Sequence, residues 1–201
     1  MEIKLAQGIE PTGRYTLIEA DPSRAPDEYA ALVEFLRKHP LEKYSGADEL
    51  SRTLRRRRYD MLKGAYHRKA KVAEHVFDNL VPLVGRTVIS RILAGDFTYT
   101  GEINYVALGD STVAPNDSDT VLGNETFRQI LSDANFVNNI AYLSAFIAAG
   151  TATGTHAEGG LFIDGTASVD TGQLFSHVLF SPTVVKGALN SLTLDVAITV
   201  T

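Results

Sequence analysis

The chain has 201 residues, enough for one well-buried domain with a smaller attached region. It contains no cysteine, which excludes disulfides, thiolate zinc sites and cysteine nucleophiles. Residues 1–80 carry 15 Lys/Arg against 13 Asp/Glu, a net charge of +2, whereas residues 81–201 carry 4 against 11, a net charge of −7. The two parts therefore look like different kinds of structure.

The sequence shows no signal for export or membrane insertion. Met1 to Leu5 lack a basic region followed by an apolar core, so we expect no secretory signal. The longest apolar run, Ile140 to Ala149, has about ten residues and is too short to span a bilayer. We expect synthesis in a cytoplasm and no membrane partner.

The first 25 residues have weak and interrupted patterns, and we interpret them as an extended arm in which Tyr15 to Ile18 could form a short strand. A first helix is predicted from Pro26, because Asp27 and Glu28 in its first turn favour the positive end of the helix dipole. Pro40 ends that helix.

A second, longer helix is predicted from Gly46 to Val76. Its apolar residues recur at steps of three, four or seven, and they are Leu50, Leu54, Met61, Ala65, Val72 and Val76. Arg58 and Arg68 interrupt this stripe, which is typical of a helix that lies along a partner or another subunit.

The run Arg55-Arg56-Arg57-Arg58 is the densest charge in the chain and could contact phosphates. Four consecutive arginines on a helix point in all directions, however, and acidic residues flank them. We therefore interpret the run as part of a solvated or subunit-facing helix, and we do not expect a nucleic-acid partner.

A third helix is predicted from Pro82 to Ala94, with Gly95 as its stop signal. Beyond Gly95 the apolar period changes to two, most clearly in the last strand, where Leu192, Leu194, Val196 and Ile198 face one way. About six strands joined by polar turns predict an α+β chain that ends in an antiparallel β-sandwich.

The block Gly109-Asp110-Ser111 resembles the first motif of the GDSL (SGNH) hydrolases, in which the serine is the nucleophile. That family also needs a histidine three residues after an aspartate to act as base. None of the five histidines has an acid at that position: His39, His67, His75, His156 and His177. We therefore predict no catalytic residue.

The pair His156 and Glu158 could place two metal ligands on one face of a strand. Two ligands do not make a metal site, and solvent-facing strand residues have the same pattern. We therefore predict no metal and no cofactor.

Residues 79–201 resemble a domain that recurs among structural proteins of tailed bacteriophages, often labelled tail-fibre or tail-associated. The matching motifs are Asn79-Leu-Val, Gly85-Arg86, Leu93-Ala-Gly95, Ile103-Asn-Tyr-Val-Ala-Leu-Gly109, Ala114-Pro115, Asp119-Thr-Val-Leu122 with Glu125 and Arg128, Glu158-Gly-Gly-Leu-Phe162, Phe180-Ser-Pro182 and the strand Leu192–Val200. The resemblance implies a non-enzymatic virion component of the tail, baseplate, short fibre or an adaptor. Capsid decoration and a GDSL-type esterase are the alternatives.

We accordingly predict two regions, a helical attachment region at 1–78 and a short helix followed by the sandwich at 79–201. The expected partners are other virion proteins and further copies of the chain. The predicted contact residues are Leu50, Leu54, Arg55, Arg56, Arg57, Arg58, Met61 and Val72.

Overall fold

The computed structural model describes residues 11–44 and 46–200. Its helices are α1 (Pro26–Lys38), α2 (Glu49–Ala70) and α3 (Leu83–Leu93). Its strands are β1 (Pro11–Ala20), β2 (Lys71–Asp78), β3 (Ile103–Gly109), β4 (Glu125–Ile130), β5 (Asp133–Val137), β6 (Ile140–Ile147), β7 (Gly154–Ile163), β8 (Gln173–Lys186) and β9 (Ser191–Val200). The α+β class predicted from the sequence is confirmed.

The strands form two antiparallel sheets. A five-stranded sheet has the order β2-β1-β9-β6-β5, and a four-stranded sheet has the order β4-β3-β7-β8. Each strand presents alternate side chains to the space between the sheets. The main core fills that space, and it includes Tyr15, Leu17, Leu108, Leu161, Val178, Phe180, Leu194 and Val196.

Helices α1 and α2 form a further layer over the outer face of the five-stranded sheet. A second apolar cluster lies beneath them, in which Tyr66 packs edge-on against Phe146 of β6 with ring centroids 6.1 Å apart. This layer explains why Thr193 of β9 is fully buried although it faces away from the main core. Both faces of β9 are therefore covered near its start.

Helix α3 packs against strand β8 of the four-stranded sheet. A Cβ atom at Gly85 would lie only 2.8 Å from the carbonyl oxygen of Phe175, so the close approach requires glycine at this position. The loop of residues 110–124 also covers the outer face of this sheet, where Leu122 joins a small cluster with Ala107 and Phe162.

The region predicted as an extended arm is, from Pro11 onward, a strand inside the larger sheet. β1 pairs with β9 over ten residue pairs and with β2 on its other side. Tyr15 and Leu17 alternate into the core and are fully buried. The boundary predicted between residues 78 and 79 therefore runs through one sheet, because strands from both sides of it are hydrogen-bonded neighbours.

The prediction that the second helix extends to Val76 is wrong, because α2 ends at Ala70 and residues 71–78 form β2. Val72 and Val76 are four residues apart, a spacing that places two side chains on one face in a helix and also in a strand. In the strand the two valines are exposed on one face, whereas Phe77 on the other face reaches the core and packs against Phe180 with ring centroids 5.1 Å apart.

Candidate partner interface on the second helix

The inner face of α2 is bound to the sheet by polar contacts as well as apolar ones. Asp48 caps the helix by accepting from the backbone N–H of Ser51 at 2.9 Å. The hydroxyl of Tyr59 lies 2.8 Å from Ser144 Oγ on β6. Lys63 Nζ donates to Asp195 Oδ1 on β9 at 2.8 Å. The sheet beneath α2 thus presents polar groups at its centre, and Tyr59 and Lys63 bind them.

Arg55 is the most completely bonded arginine of the basic run. Its Nη1 donates to Asp133 Oδ1 at 2.7 Å, its Nη2 to the carbonyl of Ser132 at 2.6 Å and its Nε to the carbonyl of His39 at 3.0 Å. The ring of Tyr44 lies beneath the guanidinium, 5.5 Å from its carbon to the ring centroid. Arg55 therefore holds α2, the segment after α1 and strand β5 together.

The outer face of α2 is different, because three large apolar side chains lie on it in contact with solvent. Leu50, Leu54 and Met61 are 67%, 55% and 52% exposed. Their spacings of four and seven residues place them on one side of the helix, and the exposed Arg57 and Arg58 flank them. We call these five residues the outer stripe.

The eight predicted contact residues therefore divide into three groups. Five form the outer stripe. Arg55 is buried, and Arg56 turns toward the sheet and donates to the side chain of Asn135 on β5. Val72 is exposed but lies on β2, beyond the end of the helix. The four arginines of the basic run thus have different roles. Arg55 and Arg56 bond within the chain, whereas Arg57 and Arg58 face solvent.

Ser111 of the Gly109-Asp110-Ser111 block lies in the loop that covers the four-stranded sheet. Its Oγ accepts from the backbone N–H of Val113 at 3.3 Å. The neighbouring Asp110 accepts from the side chain of Asn124 at 2.6 Å. Within the described ranges, no histidine lies within hydrogen-bond distance of the Ser111 hydroxyl.

The histidine of this region, His177 on β8, lies between two carboxylates. Its Nδ1 is 2.8 Å from Asp119 Oδ2 and its Nε2 is 2.8 Å from Glu158 Oε2. Burial disfavours the charged ring, but the hydrogen bonds to Glu158 and Asp119 outweigh it and raise the pKa of His177 above its usual value. The two carboxylates therefore favour the protonated imidazole, in which both nitrogens donate and neither can accept a proton as a general base must.

Glu158 is fully buried and links this network to the loop. Besides His177, its carboxylate accepts from the backbone N–H groups of Gly123 at 3.0 Å and Asn124 at 2.7 Å. Burial alone would raise the pKa of Glu158, but these three hydrogen bonds lower it. The network fixes the loop on the sheet, and sequence reasoning missed it because its members come from one loop and two strands with no local spacing.

The pair His156 and Glu158 does not converge on one point. His156 Nε2 lies 2.9 Å from the carbonyl of Ala152. The carboxylate of Glu158 instead accepts from Asn124 N–H and contacts His177. A break in the pairing register between the two residues separates them on β7. Across residues 11–44 and 46–200, His, Asp and Glu side chains form no cluster of three or more suited to a metal ion.

The chain is thus an antiparallel sandwich with an added helical layer, and the outer stripe lies on the outside of that layer. No helix within the described ranges has the length and apolar character needed to cross a membrane. Comparison with known proteins gives no match to a family model, to a curated protein or to a solved structure.

Proposed function

We propose that this chain is a non-enzymatic structural component of a tailed-bacteriophage virion, belonging to the tail, the baseplate, a short fibre or an adaptor. In this proposal it attaches to other virion proteins, or to further copies of itself, through the outer stripe of α2. The sandwich supplies a rigid body, and the helical layer supplies the surface that docks.

The outer stripe is the observation that carries the docking part of the proposal. Its apolar side chains belong to none of the apolar clusters that residues 11–44 and 46–200 form, and the inner face of α2 is the one that packs on the sheet. Methionine and arginine, which the outer stripe contains, are enriched in protein interfaces. Burying Leu50, Leu54 and Met61 against a partner would contribute several kcal/mol at about 25 cal/mol per Å² of apolar surface.

The geometry around Ser111 supports a non-enzymatic role over the esterase alternative. A serine nucleophile needs a neutral base that can take its proton. His177 is engaged at both nitrogens by carboxylates that favour its protonated form. The carboxylates instead have a structural task, because Glu158 binds the backbone of the loop that contains Ser111, and Asp119 of that loop binds His177 on β8.

The assignment to a virion rests on the resemblance of residues 79–201, and a direct experiment can test it. Particles would be purified from a lysate on a density gradient, and their proteins quantified by mass spectrometry. We expect this chain in the particle fraction at a fixed number of copies that is a multiple of a particle symmetry. Its recovery only in the soluble fraction, with intact particles lacking it, would contradict the proposal.

A further inference from the structure

A groove opens where α2 leaves the outer face of the five-stranded sheet uncovered. The strand registers place Arg14, Ala197, Tyr142 and Asn135 side by side in one row across β1, β9, β6 and β5. These residues line a cavity of about 400 Å³, and α2 forms its wall with Arg56, Asp60 and Lys63. None of the residues of the outer stripe lines this groove.

The shape of the groove follows from the side chains in that row. Ala197 is small and has a long side chain on either side, Arg14 on β1 and Tyr142 on β6. The floor is therefore low between two higher walls. Tyr142 is 44% exposed, so a large part of its ring is available to a ligand. A cavity of this volume suits a small molecule or a single unit of a polymer.

Some charged side chains of the groove form ion pairs within the chain, and others do not. Lys63 is bonded to Asp195, and Asp133 is bonded to the buried Arg55. Arg14 and Arg56 have no carboxylate within ion-pair distance among the described residues, and Arg56 contacts only the Asn135 amide. Asp60 and Asp133 lie in the same lining as Arg56, and Asp78 on β2 is the cross-strand neighbour of Arg14. The groove therefore presents two guanidinium groups together with hydrogen-bonding oxygens.

We propose that this groove binds a sugar unit that carries a carboxylate. Guanidinium groups bind carboxylates through paired N–H donors, which assigns the acid group to Arg14 beside the Ala197 floor, since Arg56 is bonded to Asn135 on the far side of Tyr142. The ring of Tyr142 offers an apolar surface with a polar tip, to which one face of a pyranose can pack. Asp60 accepts hydrogen bonds from hydroxyl groups, and the Asn135 amide N–H groups donate to them.

The sugar assignment is favoured over an acidic peptide by what lines the groove. Most side chains that line the cavity carry a polar group, and its apolar surface comes from the Tyr142 ring, Ala197 and the stems of the arginine and lysine side chains, with no pocket of aliphatic residues. A ligand with many hydroxyl groups on one ring matches such a lining. This site is independent of the proposed function, since it uses other residues of α2 than the outer stripe.

The test is a titration of the full-length protein with glucuronic acid, followed by NMR amide shifts, with glucose as the neutral match. We expect millimolar binding of glucuronate, and binding of glucose weaker by about tenfold or more. Arg14→Ala should weaken glucuronate binding by about tenfold, while Arg24→Ala, an exposed arginine elsewhere, should leave it unchanged. Ala197→Leu should block binding by filling the floor without altering charge.

Three results would overturn the proposal. The first is the absence of glucuronate binding in the millimolar range. The second is equal binding of glucuronate, acetate and an aspartate-containing dipeptide, which would make the groove a general carboxylate or peptide site. The third is an equal loss in the Arg14→Ala and Arg24→Ala variants. Thermal melts of each variant would confirm that the fold is retained, since Arg14 and Ala197 are not buried.

Discussion

Arg55 and Asp133 form a buried ion pair that joins α2 to the edge strand β5, with Nη1 and Oδ1 2.7 Å apart. The arginine also donates to two backbone carbonyls, so each nitrogen of its guanidinium has an acceptor. The basic run Arg55 to Arg58 therefore does not form one surface, because its first residue, Arg55, is buried. The neighbouring Arg58, three residues on, is exposed.

Replacing Arg55 and, separately, Arg58 tests whether the buried arginine stabilises the fold and the exposed one does not. Arg55→Ala leaves the carboxylate of Asp133 buried without its partner, a change that typically costs about 3–5 kcal/mol. Arg58→Ala, the matched control on the same helix, should change the free energy of unfolding by less than about 0.5 kcal/mol. Urea unfolding followed by circular dichroism measures both. Equal small effects would contradict the structural role of Arg55.

Aspartate substitutions along β9 should be tolerated only at positions that no other layer covers. Val196→Asp should prevent folding, because it buries a carboxylate between the sheets. Thr193→Asp should do the same beneath α2, where Thr193 is fully buried and bonded to His67. Thr199→Asp, near the end of the strand, should be tolerated. Soluble expression and thermal melting report all three, and a folded Thr193→Asp variant would show that α2 does not cover the strand.

The His177 network should make stability depend on pH in a defined direction. Because the folded pKa of His177 is raised, its contribution is complete below the unfolded value of about 6.5 and is lost as pH rises through the folded pKa. Glu158 has a lowered pKa, so its contribution is present above the unfolded value of about 4.5 and is lost in acid.

Comparison of wild type with His177→Gln isolates the histidine. Other histidines contribute with opposite sign: burial lowers the pKa of His67 to about 4, so its contribution is present above about pH 6.5. The difference between the two proteins removes that contribution. We expect the stability advantage of wild type to shrink as the pH rises above the unfolded value of about 6.5 and through the raised folded pKa of His177, measured by urea unfolding. A constant difference would mean that His177 does not change its charge in this range.

The Ser111 hydroxyl should have no catalytic role. Ester substrates should be hydrolysed no faster by wild type than by Ser111→Ala, because His177 cannot accept the serine proton. Pre-steady-state kinetics with an activated ester measures this. A burst of product that disappears in Ser111→Ala would support the esterase alternative instead.

A fragment of residues 79–201 should not fold cooperatively. It lacks β1, which lies between β2 and β9, and with it the buried Tyr15 and Leu17. A fragment of residues 11–201 keeps both strands and is the matched control. Thermal melting by circular dichroism compares them. A cooperative melt of the shorter fragment would support a sandwich that is complete without the N-terminal region.

The sequence predicted elements well where one period dominates. The alternation of Leu192 to Ile198 and the start of α1 at Pro26 both agree with the structure. Prediction failed where local pattern and tertiary pairing compete, as in residues 71–76, whose spacing fits two periods. Only Tyr15 to Ile18 of β1 were considered as a strand, and the region was interpreted as an arm, because the place of β1 in the sheet depends on β9, which lies 171 or more residues later in the chain. The Glu158–His177 contact and the groove beside Tyr142 likewise arise from long-range register.

The central claim is that the outer stripe of α2 attaches the chain to its particle. The most direct measurement is the occupancy in purified particles of the triple variant Leu50→Ser, Leu54→Ser, Met61→Ser, counted by quantitative mass spectrometry. Leu93→Ser with Leu189→Ser, two exposed apolar positions away from α2, is the control. We predict that the triple variant folds as stably as wild type, because its substituted side chains lie in solvent, yet is lost from particles while the control is retained. Incorporation of the triple variant at wild-type occupancy would contradict the claim.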